Sequence, residues 1–284
     1  MLFLKKKQNL GAVMRIKLNK AEGIIEDWLK PLSKGQFEPL IKVWSGPKIT
    51  RRHFFSGIKS KRNHHFLSDG EKRLGLVREA LPQTVNYFEQ YPLWDIGLCI
   101  EIAIDMGIKY PVDKDGEAYV LSTDLLCLEL DFETKQVNQV ARTYKPIASF
   151  LTESNHPVSV TRTLQKLELE RRYYKEKTIP FHIETDVNIS KAYANNLVWA
   201  RKSTEYIGEF IQHQEKFIYA FVNAVYGRPD DCIVESLERV CTKIGITFSD
   251  AMALFQWGIW SHQIPADLEK TIHVLEPLIL KEVA

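Results

Sequence analysis

The residues whose types and spacing could carry chemistry lie on one predicted β-hairpin. The segments 118–130 and 136–145 both alternate like strands, and DFETKQ supplies the turn between them. With the turn centred in that segment, Asp124 lies opposite Thr143, and Lys145 follows on the same face as Thr143. The hairpin therefore brings a carboxylate, a hydroxyl and an ammonium close together.

A second carboxylate comes from the helix that precedes this sheet. Ser68 and Asp69 are typical N-cap residues, and they predict a helix over about 69–81 with Glu71 in its first turn. Two carboxylates on neighbouring elements suit Mg²⁺, with Mn²⁺ as a substitute, and such ions promote phosphodiester hydrolysis. A lysine beside them can orient or deprotonate a water, or neutralise charge at phosphorus.

This pattern is the plan of restriction-endonuclease-like nucleases, in which an acidic residue on a helix precedes an Asp and an x-Lys on consecutive strands. Spacing alone leaves a second interpretation open. An Asp and a Lys on paired strands often form only a solvated cross-strand ion pair. The pattern by itself does not decide between a nuclease and an ordinary salt bridge.

The surrounding elements predict an α/β or α+β fold. The order helix, strand, hairpin, helix (159–177) and strand (179–186) builds a mixed sheet flanked by helices. We expect this domain to cover residues 1–188 and a small, mostly helical, winged-helix-like domain to cover 189–284. Helices are predicted in the second domain at 190–201, 204–225, 231–244 and from Ser249 or Asp250 onward, and the segment 271–280 as a helix or a strand.

Composition limits the classes of protein and of partner. Apolar residues make up 45% of the 284-residue chain, which excludes a disordered or fibrous protein. The net charge is only +2, yet residues 1–78 carry +12 and residues 79–284 carry −10, as expected when one end of a chain faces a polyanion. Four scattered cysteines and the lack of a long apolar run predict a reduced, cytoplasmic protein without a membrane partner.

The basic residues next to Glu71 are candidate DNA contacts. From Lys42 to His65 the sequence is basic and predicts no regular element. Lysine and arginine side chains supply most of the sequence-independent affinity for DNA through phosphate contacts. The alternative is a solvated basic loop. The candidate residues are Lys48, Arg51, Arg52, Lys59, Lys61 and Arg62.

Five segments, in order, resemble one protein family. They are HHFLSDGE (64–71), IAIDMGIKYPV (102–112), VLSTDLL (120–126), TYKP (143–146) and RTLQKLELERRYYKEKTIPFHIETD (162–186). Together they resemble the TnsA family, the endonuclease subunits of bacterial cut-and-paste transposons that use a heteromeric transposase. The resemblance extends over roughly residues 40–200.

The resemblance implies a fold, an activity and partners. It implies a restriction-endonuclease-like domain followed by a winged-helix-like domain, and cleavage of the 5′ strands at both transposon ends. An integrase-type transposase subunit (TnsB-like) would cut and join the 3′ strands, and an ATPase regulator (TnsC-like) would contact the C-terminal domain. By motif, Glu71 and Asp124 would bind the metal and Lys145 would be the catalytic lysine.

One position departs from the family pattern. The family has Gln two residues before the lysine, where this sequence has Thr143. Thr143, our candidate for a third metal ligand, is a poorer ligand than a carboxamide, although the carbonyl of Tyr144 lies next to it. Two alternatives stay open: a catalytically silent subunit that bridges DNA and partners, and a free-standing nuclease of the restriction or resolvase type.

Overall fold

The computed structural model describes residues 16–45, 50–209 and 211–281. Eight helices and six strands are described in these ranges. The helices are α1 (Asn19–Leu32), α2 (Asp69–Ala80), α3 (Ile96–Asp105), α4 (Pro157–Glu176), α5 (Lys191–Ala200), α6 (Gln214–Gly227), α7 (Ile233–Ile244) and α8 (Phe248–Trp260). The strands are β1 (His53–Ser56), β2 (Asn63–Phe66), β3 (Thr84–Pro92), β4 (Ser122–Leu130), β5 (Val137–Tyr144) and β6 (Phe181–Glu184).

The main sheet is mixed, in the order β3-β4-β5-β6. The first three strands pair antiparallel, and β6 joins β5 in parallel. Across the β4–β5 hairpin Leu125 pairs with Arg142 and Leu126 with Ala141, so that partner numbers add to 267, as the predicted turn required. The predicted mixed α/β architecture is confirmed.

Both faces of the sheet are covered by helices, which explains the nearly continuous apolar run of β4. Leu126 belongs to a hydrophobic cluster with residues of α1, α3 and α4. Leu125 and Cys127 belong to a second cluster, which contains residues of α2 and of α5 to α8. Because side chains alternate along a strand, neighbouring leucines of β4 enter opposite cores. The second cluster is continuous across the predicted domain boundary at residue 188.

Three segments differ from the sequence prediction. Residues 53–66 form the antiparallel hairpin β1–β2, where we expected irregular chain. Two four-residue strands rich in histidine carry too little apolar alternation to be recognised. The predicted helix 204–225 is confirmed from residue 214 onward, as α6. The part described before residue 214 forms short 3₁₀ turns, in a stretch where Gly208 and the β-branched Ile207 and Ile211 weaken helix propensity.

The chain after α8 is extended and is neither of the two predicted elements. It is tied back by isolated bridges from Cys232 to Pro277 and from Ala266 to Leu280. The winged-helix identity of this region therefore stays a prediction. Among the described helices, none combines the length and the apolar character that crossing a membrane requires.

Candidate active site

Three elements converge where α2 begins and β5 ends. Ser68 caps α2: its hydroxyl accepts from the backbone N–H of Glu71 at 3.1 Å and donates to the Glu71 carboxylate at 3.0 Å. Gly70 allows the close approach, because a Cβ there would lie 2.1 Å from the Tyr144 ring. The SDGE segment thus fixes Glu71 against the end of β5.

The Glu71 carboxylate is held in place by several donors. The backbone N–H of Leu67 donates to Oε2 at 2.8 Å and the Gln90 amide donates to the same oxygen at 3.0 Å. Gln90 is itself held by the hydroxyl of Ser122, at 3.1 Å. Burial, with the nearby charge of Asp124, raises the pKa of Glu71 to about 7. Glu71 and Asp124 therefore form a half-buried pair of neighbouring carboxylates.

Asp124 and Lys145 meet beside this pair, as the hairpin register predicted. Asp124 Oδ2 accepts from the backbone N–H of Tyr144 at 2.7 Å and lies 3.6 Å from Lys145 Nζ. The Lys145 ammonium also donates to the Tyr144 carbonyl at 2.9 Å. Burial opposes the charge of Lys145, but the surrounding carboxylates outweigh burial and raise its pKa. Lys145 is consequently a cation at neutral pH.

A third carboxylate, which the sequence analysis missed, lies on the other side of Lys145. Glu170 of α4 is only 2% exposed and accepts from the Thr143 hydroxyl at 3.3 Å. The Thr143 and Thr123 hydroxyls are 3.0 Å apart. Burial raises the pKa of Glu170 to about 7. The charge of Lys166 opposes this shift, and the charge of Asp124 adds to it. The charge of Glu170 also contributes to raising the pKa of Lys145.

A signal for Glu170 was present in the sequence. It lies three residues after Leu167 and four before Tyr174, both of which are buried in the core. A carboxylate at that helical spacing has to be buried with them. A buried acid needs a partner, and this one has Thr143 and Lys145.

The donor set fits a divalent cation. Mg²⁺ commonly binds through one or two carboxylates and keeps several waters, and the repulsion within a pair of neighbouring carboxylates is relieved by a cation between them. Glu71 and Asp124 supply that pair. In the described part of the chain no three His, Cys, Asp or Glu side chains are grouped so as to hold a metal. The pair alone would therefore have to suffice.

Two comparisons with known proteins bear on the candidate site. Residues 81–186 match the family described as TnsA-like endonuclease N terminal. The Transposon Tn7 transposition protein TnsA of Escherichia coli is 36% identical over 185 residues, which are 65% of this chain and 60% of that protein. The chain contains a TnsA-like endonuclease domain. The resemblance drawn from the sequence segments is confirmed.

The segment that matches the TnsA-like endonuclease family holds most of the candidate site. Asp124, Thr143, Lys145 and the unexpected Glu170 lie within it, whereas Glu71 precedes it by ten residues. The chain spans 60% of the length of its Tn7 relative.

The candidate DNA contacts of the TnsA-like protein divide into two groups. Arg51 and Lys61 are exposed, and Arg51 pairs with Asp69 through two bonds of 2.9 Å. The guanidinium of Arg52 donates to the carbonyl of Val43. Lys48 lies outside the described residues. Of these candidates, Arg51 lies at the N-terminus of α2, because its partner Asp69 is the first residue of that helix.

The other two candidates are bonded within the fold. Lys59 Nζ donates to the carbonyls of Leu81 and Thr84, and burial lowers the pKa of Lys59 to about 8. Arg62 makes two hydrogen bonds to the buried carboxylate of Glu89, at 2.9 and 2.6 Å. The charges of both side chains are already satisfied by the protein.

Proposed function

We propose that this chain is the endonuclease subunit of a DNA transposase and hydrolyses the 5′, non-transferred strands at transposon ends. One observation carries the proposal: Asp124 and Lys145, which lie within the segment similar to TnsA-like endonucleases, meet Glu71 from the helix just before that segment. The name of the Tn7 relative, a transposition protein, supports the choice of transposon ends as substrate.

Glu71 and Asp124 would hold Mg²⁺, or Mn²⁺ in its place. The ion would supply Lewis-acid polarisation of the scissile phosphate and stabilise charge on the attacking and leaving oxygens. The Thr143 hydroxyl, our predicted third ligand, is bonded to Glu170 and Thr123. We therefore assign Thr143 the task of positioning Glu170 and leave the two carboxylates as the metal ligands.

Lys145 would act as a cation rather than as a base. Its carboxylate neighbours raise its pKa, so it stays protonated at neutral pH and has no lone pair for a water proton. An ammonium at this position neutralises negative charge that develops on the phosphate during hydrolysis. Of the three roles open to the lysine from sequence, this one agrees with its surroundings.

The basic segment would guide DNA to this site. Residues 39–68 contain seven Lys and Arg residues and no Asp or Glu. We propose phosphate contacts for Arg51, Arg52 and Lys61, with Lys48 as a further candidate. Lys59 and Arg62 would act indirectly, by holding the fold of this segment.

We further propose two protein partners in a bacterial cytoplasm. An integrase-type, TnsB-like transposase subunit would cut and join the 3′ strands. A TnsC-like ATPase regulator would contact the helices after residue 188. Both proposals follow from the family resemblance and apply to the assembly rather than to the isolated chain.

Strand-resolved cleavage tests the function. End-labelled transposon-end DNA is incubated with Mg²⁺, the co-encoded transposase and ATPase, and either the parent chain, Asp124→Ala or Asp105→Ala. Asp105 is an exposed residue at the end of α3 and serves as the matched control. We expect 5′ cuts with the parent and the control, and only 3′ cuts with Asp124→Ala. Unchanged 5′ cutting by Asp124→Ala would contradict the proposal.

Thr143 supports one alternative, a catalytically silent subunit that bridges DNA and partners. Its hydroxyl is engaged within the protein, and the family pattern has Gln there. If this alternative holds, the parent makes no 5′ cuts and Thr143→Gln creates them. Cleavage by the parent chain would exclude the silent subunit.

A further inference from the structure

An exposed aromatic surface lies beside the candidate site. Trp44 is 65% exposed and Phe54 is 58% exposed, and their ring centroids are 6.3 Å apart. Both rings pack edge-on against His65, at 4.7 and 5.0 Å. We call Trp44, Phe54 and His65 the aromatic platform. Exposed clusters of large apolar side chains commonly mark binding surfaces.

The aromatic platform is held by the fold. Phe54 and His65 are direct cross-strand partners in the β1–β2 hairpin. The backbone N–H of Val43 donates to His65 Nδ1 at 3.2 Å, and the N–H of His65 donates to Glu89 at 3.0 Å. Because its parts are fixed before any ligand arrives, binding costs little conformational entropy.

The platform is close to the candidate metal ligands. His65 precedes Leu67 by two residues, which is about 7 Å of extended chain. The backbone N–H of Leu67 donates to the Glu71 carboxylate. His65, the buried member of the platform, is therefore about 7 Å of chain from a residue that binds Glu71, a spacing comparable to one nucleotide of an extended strand.

The charge around the platform favours a nucleotide over an apolar protein segment. The platform belongs to the segment 39–68, which has seven basic and no acidic residues; of these, Lys59 and Arg62 are bonded within the fold, and Arg51 and Lys61 are exposed. Lys42 Nζ lies 5.9 Å from the centroid of the Trp44 ring and pairs with Glu38 at 2.6 Å. Cations beside exposed aromatic rings suit a base whose flanking phosphates need neutralising.

We propose that Trp44 and Phe54 stack with an unpaired nucleotide base next to the cleaved phosphodiester. A paired base inside a duplex offers no free face, so the occupant has to be a frayed, overhanging or extruded base. The proposal rests on the proposed function, because it takes DNA as the substrate. It adds a subsite for single-stranded nucleotides to the two-carboxylate site.

Fluorescence of 2-aminopurine tests the stacking. The probe base is placed in an unpaired 5′ overhang of one duplex and in a blunt duplex of the same length, with the Asp124→Ala chain to prevent cleavage. Into that chain we introduce Trp44→Ala, Phe54→Ala, Trp44→Phe or, as the control, Tyr219→Ala. Tyr219 is 74% exposed on α6 and matches the platform residues in type and exposure.

We expect Trp44→Ala to weaken binding of the overhang DNA about 10-fold and that of the blunt duplex less than 2-fold. The quenching of the probe should fall with it, while the salt dependence stays unchanged because no charge is removed. Phe54→Ala should have a smaller effect in the same direction. The affinity of Trp44→Phe for the overhang DNA should stay within about 3-fold of that of the Asp124→Ala chain. The control Tyr219→Ala should bind this DNA as tightly as the Asp124→Ala chain does.

Equal losses on both DNAs, or no loss on either, would overturn the proposal. Thermal unfolding of each variant separates lost stacking from lost structure, since an exposed ring contributes little to stability. The binding test is independent of cleavage. If the parent makes no 5′ cuts, the proposed function is contradicted. The stacking proposal is then still decided by whether Trp44→Ala weakens binding of the overhang DNA more than binding of the blunt duplex.

Discussion

Two clusters of charged side chains flank β5, and they differ in charge balance. The first, which we call the ion-pair cluster, joins Arg78 and Arg142 to Glu129 and Glu184. Arg142 bonds Glu129 at 3.0 Å through two bonds and Glu184 at 2.6 Å, and Arg78 lies 3.5 to 3.6 Å from both acids. Two cations meet two anions, so the formal charges of the cluster balance, although Arg78 Nε has no hydrogen-bond partner.

The second cluster, at the candidate site, holds three acids, the cation Lys145 and, near Glu170, the cation Lys166. Burial raises the pKa of both Glu71 and Glu170 to about 7, although the charge of Lys145 and, at Glu170, that of Lys166 oppose the shift. Near β5, one cluster therefore matches two acids with two arginines, and the other places three acids against two lysines. The excess of negative charge, rather than the presence of acids, marks the site that would bind a metal.

The largest effect is expected in the ion-pair cluster. Arg142→Met leaves Glu129 and Glu184 with Arg78 alone, and breaking a buried pair costs about 3–5 kcal/mol of the free energy of unfolding. Urea unfolding measures the loss. Arg171→Met, which breaks an exposed pair with Glu168, is the control and should cost less than about 1 kcal/mol. Similar losses in both variants would show that the cluster is not structural.

The next effect concerns activity at the candidate site. Lys145→Ala should lower the rate of 5′ cleavage by about 10²–10³-fold, because it removes a preorganised cation from the reacting phosphate. Lys135→Ala, at an exposed turn, is the control and should cleave like the parent. Single-turnover cleavage with the partner subunits present measures both. A Lys145→Ala chain that cuts at the parental rate would remove the lysine from the mechanism.

The carboxylate of Glu89 has a lowered pKa, whereas those of Glu71 and Glu170 have raised pKa values, so the stability that depends on Glu89 varies with pH in the opposite direction. Burial opposes the charge of Glu89, but hydrogen bonds from His64 and Arg62 outweigh burial and lower the pKa of Glu89 from 4.5 to about 2. A lowered pKa stabilises the fold above pH 4.5, and this stabilisation is lost as the pH falls from 4.5 to 2. About 3 kcal/mol of the free energy of unfolding depends on it.

Acid unfolding of Glu89→Gln tests this assignment. The variant should be less stable at pH 7 and should lose less stability than the parent between pH 4.5 and 2. Glu133→Gln, in the exposed β4–β5 turn, is the control and should follow the parent curve. If Glu89→Gln and the parent lose the same free energy of unfolding between pH 4.5 and 2, the lowered pKa of Glu89 is contradicted.

The smallest expected effect is that of Glu170→Gln, and it tests the difference between the two charged clusters most closely. Glu170→Gln removes one buried negative charge from the second cluster, and we expect a gain of about 1 kcal/mol in unfolding free energy at pH 8. Cleavage should fall about 10-fold, because Thr143 and Lys145 lose the charge that positions them. Unfolding and cleavage are measured on one preparation. A loss of stability would mean that Glu170 belongs to a balanced network after all.

The sequence predicted the parts of the site that follow from local rules. The alternation of β4 and β5 with a turn between them was sufficient to place Asp124 beside Lys145, and the Ser68 cap was sufficient to place Glu71 at a helix start. Alternation and capping depend on neighbouring residues only. For this reason they can be recognised without knowledge of the fold.

Other features depend on tertiary packing. Glu170 reaches the site because α4 packs against the sheet. The Lys59 side chain turns inward to the carbonyls of Leu81 and Thr84, and Arg62 turns inward to Glu89. The hairpin β1–β2 is stabilised by His64 stacking on Tyr87 of β3, at 4.3 Å. Such partners are distant in sequence, so composition and periodicity alone do not identify them.

Metal binding tests the central claim most directly. Mn²⁺ is titrated into the full chain and bound ion is followed by electron paramagnetic resonance, with the parent, Asp124→Asn and Glu129→Gln compared. We predict one site in the parent and in Glu129→Gln, and at least a 10-fold weaker site in Asp124→Asn. Equal binding by the parent and Asp124→Asn would contradict the claim that the unbalanced acidic cluster is the metal site.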